Sequence, residues 1–378
     1  MRRSVSVLWM LFVSALLGAP LAAQSPEGPI APVPGVQVQQ APPQAKLVVR
    51  VSLVNTPVTV RDAKGEMVDN LEVKDFRITD NGVEQKISHF DLGGDPISLA
   101  VLLETSSRID PLLPELRKTG ILMTQTVMGP TGEAAIVGFN DSVDKLQDFT
   151  TNADQIERTV SRLQTSTSGS KLYDAMAVAV EMLSGRPQAT PERPSHRRVM
   201  LILSEATDIG SETRLGEVLR QAQLSNVTIY SVGLSTTRAE LQAKPKDPVP
   251  QVTPPGTFGL PPQPGVPQTP DTEAARYGSG NLLALAVWAV QHVKDKISDH
   301  ALEVAATATG GAHLATFKDR SIEKAIDEIG GELHSQYSLS YTPAGTNEVG
   351  YHEIKVLVTP GDLKVRARPG YYVAQPES

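Results

Sequence analysis

The chain has 378 residues, of which 40% are hydrophobic and 20% charged, so it is long enough for two or three domains with real cores. The formal net charge of -7, the lack of a basic run and an aromatic content of only 4% argue against nucleic acid as a partner. The complete lack of cysteine excludes disulfides, thiol catalysis and zinc–thiolate sites.

The N-terminus has the three parts of a secretory signal peptide. Two arginines at positions 2–3 precede an apolar run over residues 5–17, and small residues follow at positions 18, 19, 22 and 23. We expect cleavage near Ala23 and export, to a periplasm or out of the cell. The apolar run is short for a membrane span, so no stable span is expected once the signal, residues 1–23, is removed. An uncleaved signal anchor is the alternative.

Two segments are rich in proline. Residues 24–45 carry no charge apart from Glu27 and predict a disordered tether. A second segment, about 243–278, has PPGTFGLPPQPGVPQTP at its centre. Proline cannot sit inside a helix or a central strand, so we expect a disordered insertion there.

Both flanks of the remaining chain predict antiparallel strands. Residues 46–95 alternate apolar and polar side chains, and 80–82 (Asp-Asn-Gly) form a strong hairpin turn signal. Residues 335–375 show the same alternation of apolar and polar side chains, with a turn at 360–362 (Pro-Gly-Asp). The sequence leaves open whether the two β units pack together.

The middle region, 96–334, alternates apolar strands with amphipathic helices. The predicted strands cover 96–106, 133–141, 197–205, 227–235 and 312–317. The predicted helices cover 112–127, 152–164, 171–183, 214–226, 282–296, 299–309 and 321–333. This alternation predicts a doubly wound α/β domain around a mostly parallel sheet. Ligands of such folds bind at the carboxyl ends of the strands.

Three loops rich in polar residues are predicted to meet at that edge. They cover 104–108 (ETSSR), 165–175 (TSTSGSKLYDA) and 204–211 (SEATDIGS). With the flanking motifs VTVRDAKGEMVDNLEVKDFRITDNGVEQKISHF and YSLSYTPAG, they make residues 46–375 resemble the von Willebrand factor A (VWA) family. The similarity is to a bacterial exported branch called VWFA-related. The resemblance implies a Rossmann-like fold.

The resemblance also implies an adhesion site for a divalent metal. In the family, Asp-x-Ser-x-Ser on the first loop, a Thr on the second and an Asp on the third hold the ion, which suits Mg²⁺. This chain keeps Ser106, but places Glu104, Arg108, Ser170 and Glu205 at the other positions. A longer carboxylate misplaces its oxygens, and a guanidinium beside two carboxylates takes over the place of the cation. We therefore expect a degenerate metal site and no cofactor.

The predicted function is an exported, non-enzymatic, adhesion- or scaffold-type module that binds another protein. Arg108 is expected to meet an acidic group of the partner directly. The predicted contact rim comprises Glu104, Thr105, Ser106, Ser107, Arg108, Ser170, Glu205 and Asp208.

Two alternatives stay open. The first is metal-dependent adhesion through Glu104, Ser106, Ser170 and Glu205, with Mg²⁺ as the ion and Asp208 as a substitute ligand. The second is a hydrolase that uses a loop serine, either Ser106 or Ser107, which needs a histidine base close by.

Overall fold

The computed structural model describes residues 53–186, 197–235, 300–316, 321–344 and 349–373. The predicted signal peptide, the tether, the proline-rich insertion and the helix predicted near 282–296 lie outside the described residues. No helix among those ranges is both long and apolar enough to cross a lipid bilayer.

The strands of the described residues are numbered in chain order. They are β1 (Val54–Arg61), β2 (Phe76–Asp80), β3 (Val83–Gln85), β4 (Ile87–Leu92), β5 (Ile97–Glu104), β6 (Glu133–Phe139), β7 (Val143–Thr150), β8 (Arg197–Ser204), β9 (Val227–Gly233), β10 (His313–Ala315), β11 (Tyr337–Tyr341), β12 (Gly350–Val358), β13 (Lys364–Ala367) and β14 (Gly370–Val373).

The α-helices are numbered in the same way. They are α1 (Leu113–Leu116), α2 (Gly120–Leu122), α3 (Ala153–Ser161), α4 (Leu172–Ser184), α5 (Leu215–Leu224), α6 (Ala301–Thr309) and α7 (Ile322–His334). Short 3₁₀ segments cover Val73–Asp75 and Ser107–Leu112, and a π-helical turn covers Met123–Met128.

The central sheet confirms the predicted fold class. In the described part of the chain it has six strands in the order β10-β9-β8-β5-β6-β7, all parallel except β7. Every residue of β5 is buried because helices cover both faces of the sheet. Leu102 faces the core that includes α4, α5 and α6, whereas Leu103 faces the core that includes α7. The carboxyl ends of β5 and β8 therefore open at one protected edge.

The strands of the two flanks pair with one another in two small antiparallel sheets. Their orders are β13-β1-β11-β4 and β14-β12-β2-β3 among the described strands. β1 lies between β11 and β13, and β2 pairs with β12, so each sheet takes strands from both flanks. The predicted hairpin turn is also confirmed: Asn81 and Gly82, at φ 47 and 82, connect β2 to β3.

Two local predictions differ from the structure. The single helix predicted over 112–127 is wrong, because the segment is divided among α1, α2 and the π-helical turn. Pro114 lies in the first turn of α1 and, lacking an N–H, favours a new helix start there. β7 was not predicted, because none of its eight residues is buried and five of them are polar, as suits the edge of the sheet.

Candidate functional site

The three polar loops meet at the carboxyl edge of the central sheet and are fastened to each other by backbone hydrogen bonds. The N–H of Ser107 donates to the carbonyl of Thr167 at 2.8 Å, which joins the first loop to the second. Ser170 and Ile209 exchange two such bonds, at 3.3 and 2.7 Å, which join the second loop to the third. The loops therefore form one fixed surface.

Glu104, the last residue of β5, is the buried centre of this surface. Its side chain is fully buried and all its acceptor capacity is used. One carboxylate oxygen accepts hydrogen bonds from the Ser106 hydroxyl at 2.6 Å and from Arg108 Nη2 at 2.8 Å. The other accepts from the Ser204 hydroxyl at 2.8 Å and from the backbone N–H of Glu205 at 2.9 Å.

The Arg108 side chain bridges two carboxylates. Besides its bond to Glu104, its Nε lies 3.2 Å from an oxygen of Glu205. The side chains of Arg108 and Glu205 are only 17% and 3% exposed, so this ion pairing is largely shielded from water. Two negative charges and one positive charge leave the trio with a formal charge of -1. The positive charge of Arg108 is thus neutralised by carboxylates of the protein itself.

Two further predicted residues have contrasting environments. The hydroxyl of Thr105 donates to the carbonyl of Phe139 and accepts from Asn140 Nδ2, each at 3.1 Å. Ser170 is also fully buried, but its hydroxyl has no hydrogen-bond partner among the described residues.

Asp208 caps a helix. Its carboxylate accepts the backbone N–H of Tyr173, in the first turn of α4, at 3.1 Å and the hydroxyl of Ser211 at 2.6 Å. Asp174 makes the reverse connection, because it accepts the N–H groups of Glu212 and Thr213 at 3.1 and 2.9 Å. Burial acts to raise the pKa of Asp174, but these hydrogen bonds outweigh it and lower the pKa below the ordinary value.

The eight residues of the predicted rim divide by exposure. Four are buried: Glu104, Thr105, Ser106 and Ser170. The other four, Ser107, Arg108, Glu205 and Asp208, are partly exposed as whole residues, although the side chain of Glu205 is only 3% exposed.

The predicted rim leaves out two residues of the third loop that take part in this surface. Ser204, the last residue of β8, holds Glu104 in place, and Ile209 presents an apolar side chain that is 47% exposed. The position of Ser204 at a strand end, directly beside Glu205, was the available signal. The exposure of Ile209 depends on the loop conformation, which the sequence does not specify.

Among known protein families, one family model matches part of the chain. The family model for the von Willebrand factor type A domain matches residues 100–249. None of the curated proteins compared with the sequence matches it.

Several solved structures resemble the fold at low identity. BatB from Bacteroides thetaiotaomicron has 11% identity and a TM-score of 0.39, covering 63% of this chain and 98% of BatB. A von Willebrand factor type A protein from Catenulispora acidiphila has 9% identity and a TM-score of 0.41, covering 80% of this chain and 74% of that one. An aerotolerance-related membrane protein from Bacteroides fragilis has 10% identity and a TM-score of 0.37, covering 62% and 99%.

Proposed function

We propose that the chain, whose residues 100–249 match the family model for the von Willebrand factor type A domain, is an exported protein-interaction module. Its partner docks on the carboxyl edge of the central sheet without a bridging metal ion. The observation that carries this proposal is the guanidinium of Arg108, which lies between the carboxylates of Glu104 and Glu205.

The donor set does not fit a hard divalent cation. Mg²⁺ needs oxygen ligands at about 2.0–2.1 Å in a near-octahedral arrangement. Both oxygens of Glu104 already accept hydrogen bonds, one of them from Arg108. A cation at the same place would have to expel a charge-assisted hydrogen bond and meet a guanidinium at close range.

This geometry changes the role that the sequence suggested for Arg108. A direct contact between Arg108 and an acidic partner would have to replace two internal carboxylates. We assign Arg108 instead to holding the loops together as an internal counterion. The partner then meets the partly exposed Ser107 and Asp208, together with the exposed apolar side chain of Ile209.

Site-directed photo-crosslinking in the envelope fraction tests the proposal. A photoreactive amino acid at Ile209 in the full chain is expected to give a discrete adduct with a second protein, in the presence or absence of EDTA. The matched control places it at Leu357 of β12, which is also exposed, at 61%, but lies outside the three loops. No adduct from Ile209, or the same adducts from both positions, would contradict the proposal.

One observation favours metal-dependent adhesion as a second candidate. Ser170 stands at the position of a metal ligand in the resemblance, and its buried hydroxyl has no protein partner in the described residues. Calorimetric titration of the full chain with Mg²⁺, Mn²⁺ and Ca²⁺ separates the two candidates. Heat of binding that disappears in a Ser170→Ala variant supports the second candidate and contradicts the metal-free proposal.

The hydrolase alternative has less support. The Ser106 hydroxyl donates to the carboxylate of Glu104 rather than to an imidazole. A serine–histidine contact does exist elsewhere, between Ser231 and Nδ1 of His313 at 2.9 Å, but Ser231 is fully buried. A nucleophile of that kind has no access to a substrate.

A further inference from the structure

A surface groove next to the three loops runs between helix α3 and edge strand β7. Its larger part has a volume of about 410 Å³ and lies between Thr105, Leu146 and Arg162. A second part, about 260 Å³, continues past Arg158 and Gln147. The two parts share Thr159 and Arg162, so they form one continuous groove.

One face of α3 forms a wall of this groove. Gln155, Arg158, Thr159 and Arg162 follow each other at helical spacing on that face, whereas Ile156 and Val160 point to the core on the opposite face. α3 and its C-cap residue, Arg162, thus place two arginines one turn apart beside the groove.

These two arginines are not neutralised by acidic residues. In the described ranges neither is part of an ion pair, and Arg158 Nε donates to the backbone carbonyl of Asp154 at 3.0 Å. Arg108, by contrast, is held between two glutamates. The groove therefore offers free positive charge in a protein whose formal net charge is -7.

We propose that this groove binds an extended acidic segment of the partner protein, with carboxylates at alternate positions that pair with Arg158 and Arg162. Side chains one helical turn apart lie about 5–6 Å from each other. Alternate residues of an extended segment lie about 6.6–6.8 Å apart on the same side. The guanidinium groups of Arg158 and Arg162 therefore match two carboxylates separated by one residue, and each pair can be bidentate.

The other end of the groove sets the direction of the bound segment. Asp144 and the 41% exposed side chain of Leu146 belong to the part near Thr105. The carboxylate of Asp144 repels a further acidic residue there, while Leu146 favours an apolar one. Thr105 belongs to the first of the three loops, so a partner in the groove also reaches the candidate site. The inference rests on the proposed function and names the chemistry of its partner.

Fluorescence anisotropy on the full chain tests the inference. The probe is a labelled peptide with glutamates at alternate positions and serine between them. A matched peptide has glutamine in place of glutamate. We expect the acidic peptide to bind, its affinity to fall with added salt, and the glutamine peptide not to bind. The R158Q/R162Q double variant should bind about tenfold or more weakly, since two charge-assisted contacts are lost.

A control variant separates local pairing from net charge. R77Q/K86Q removes two positive charges as well, from exposed positions on β2 and between β3 and β4, and its affinity should equal that of the original chain. Equal losses in both double variants would overturn the inference, as would no binding of the acidic peptide. Arginine-dependent binding of phosphatidylglycerol vesicles without peptide binding would overturn it too. None of these outcomes changes the result of the Ile209 crosslinking experiment. The proposed function is therefore tested independently of the groove.

Discussion

Two buried carboxylates in this molecule have opposite environments. Glu104, at the carboxyl end of β5, receives four hydrogen bonds and the charge of Arg108. Asp95, just before the same strand, is 6% exposed, and neither of its oxygens has hydrogen-bond geometry with a partner in the described residues. The hydrogen bonds of Glu104 compensate for the burial of its charge, whereas the burial of Asp95 costs free energy that no hydrogen bond in the described part of the chain offsets.

The surroundings of Asp95 explain its state. It lies near Ser338 of β11, Arg197 of β8, and both Asp91 and His89 of β4, so strands of one small sheet and of the central sheet contribute to its surroundings. Burial raises its pKa above the ordinary 3.8, although Ser338 and Arg197 act in the opposite direction. Removal of the Arg108 charge should therefore destabilise the region around Glu104. Removal of the Asp95 charge should stabilise the region around Asp95.

The largest expected effect is in the Arg108→Ala variant. It leaves Glu104 and Glu205 close together without a cation, and a buried ion pair broken on one side costs about 3 kcal/mol of unfolding free energy. Denaturant unfolding of the full chain checks this value. Arg77→Ala, at an exposed position, is the control and should change stability by about 0.5 kcal/mol or less. An unchanged midpoint for Arg108→Ala would mean that the trio does not hold the loops.

A rebuilt metal site should have a somewhat smaller effect. In E104D/R108S/E205D the shorter carboxylates and a second serine restore the pattern implied by the family resemblance. Mg²⁺ at a hundredfold excess over its dissociation constant should stabilise this variant by about 2.7 kcal/mol, seen as a rise in Tm. The original chain should show no shift, and an added Ser170→Ala change should remove it. A Mg²⁺ shift in the original chain would contradict the metal-free proposal.

The smallest effect is expected from Asp95→Asn, and its sign depends on pH. The folded state favours the protonated acid, so its penalty is absent below the ordinary pKa and develops as pH rises through the raised folded pKa. At neutral pH the substitution should therefore stabilise the chain by about 1 kcal/mol. Thermal unfolding at neutral and acid pH checks this, because the gain should vanish in acid. Destabilisation at neutral pH would show that the carboxylate makes a favourable interaction.

The elements with strong patterns could be predicted from the sequence. β5 and β8 are continuous apolar runs, and helices cover both faces of the sheet they form. β7 lacks that signal because the edge of a sheet tolerates polar side chains on both sides. The division of the helix predicted over 112–127 was missed, because the segment keeps helical spacing although α1 ends at Leu116 and α2 begins only at Gly120.

The meeting of the three loops at one edge of the sheet could be predicted from the sequence, but the contacts of their side chains could not. Strand order placed Glu104 and Glu205 at one edge, and residue type suggested that Arg108 would pair with them. The fourth bond of Glu104, from Ser204, and the capping role of Asp208 depend on loop geometry. The free arginines of α3 were missed, because an exposed helix face looks the same in sequence whether or not a groove lies beside it.

The pairing of N-terminal with C-terminal strands in the two small sheets determines the order in which the sheets of the protein can form. β1 is synthesised early, yet both of its neighbours, β11 and β13, come near the end of the chain. Until they emerge, β1 presents unpaired backbone groups that invite association with other chains. The central sheet can assemble from nearby segments, whereas the outer sheets close only after translation has passed it. A stalled or shortened polypeptide would thus be able to form the central sheet, while the unpaired edges of its N-terminal strands stayed open to association with other chains.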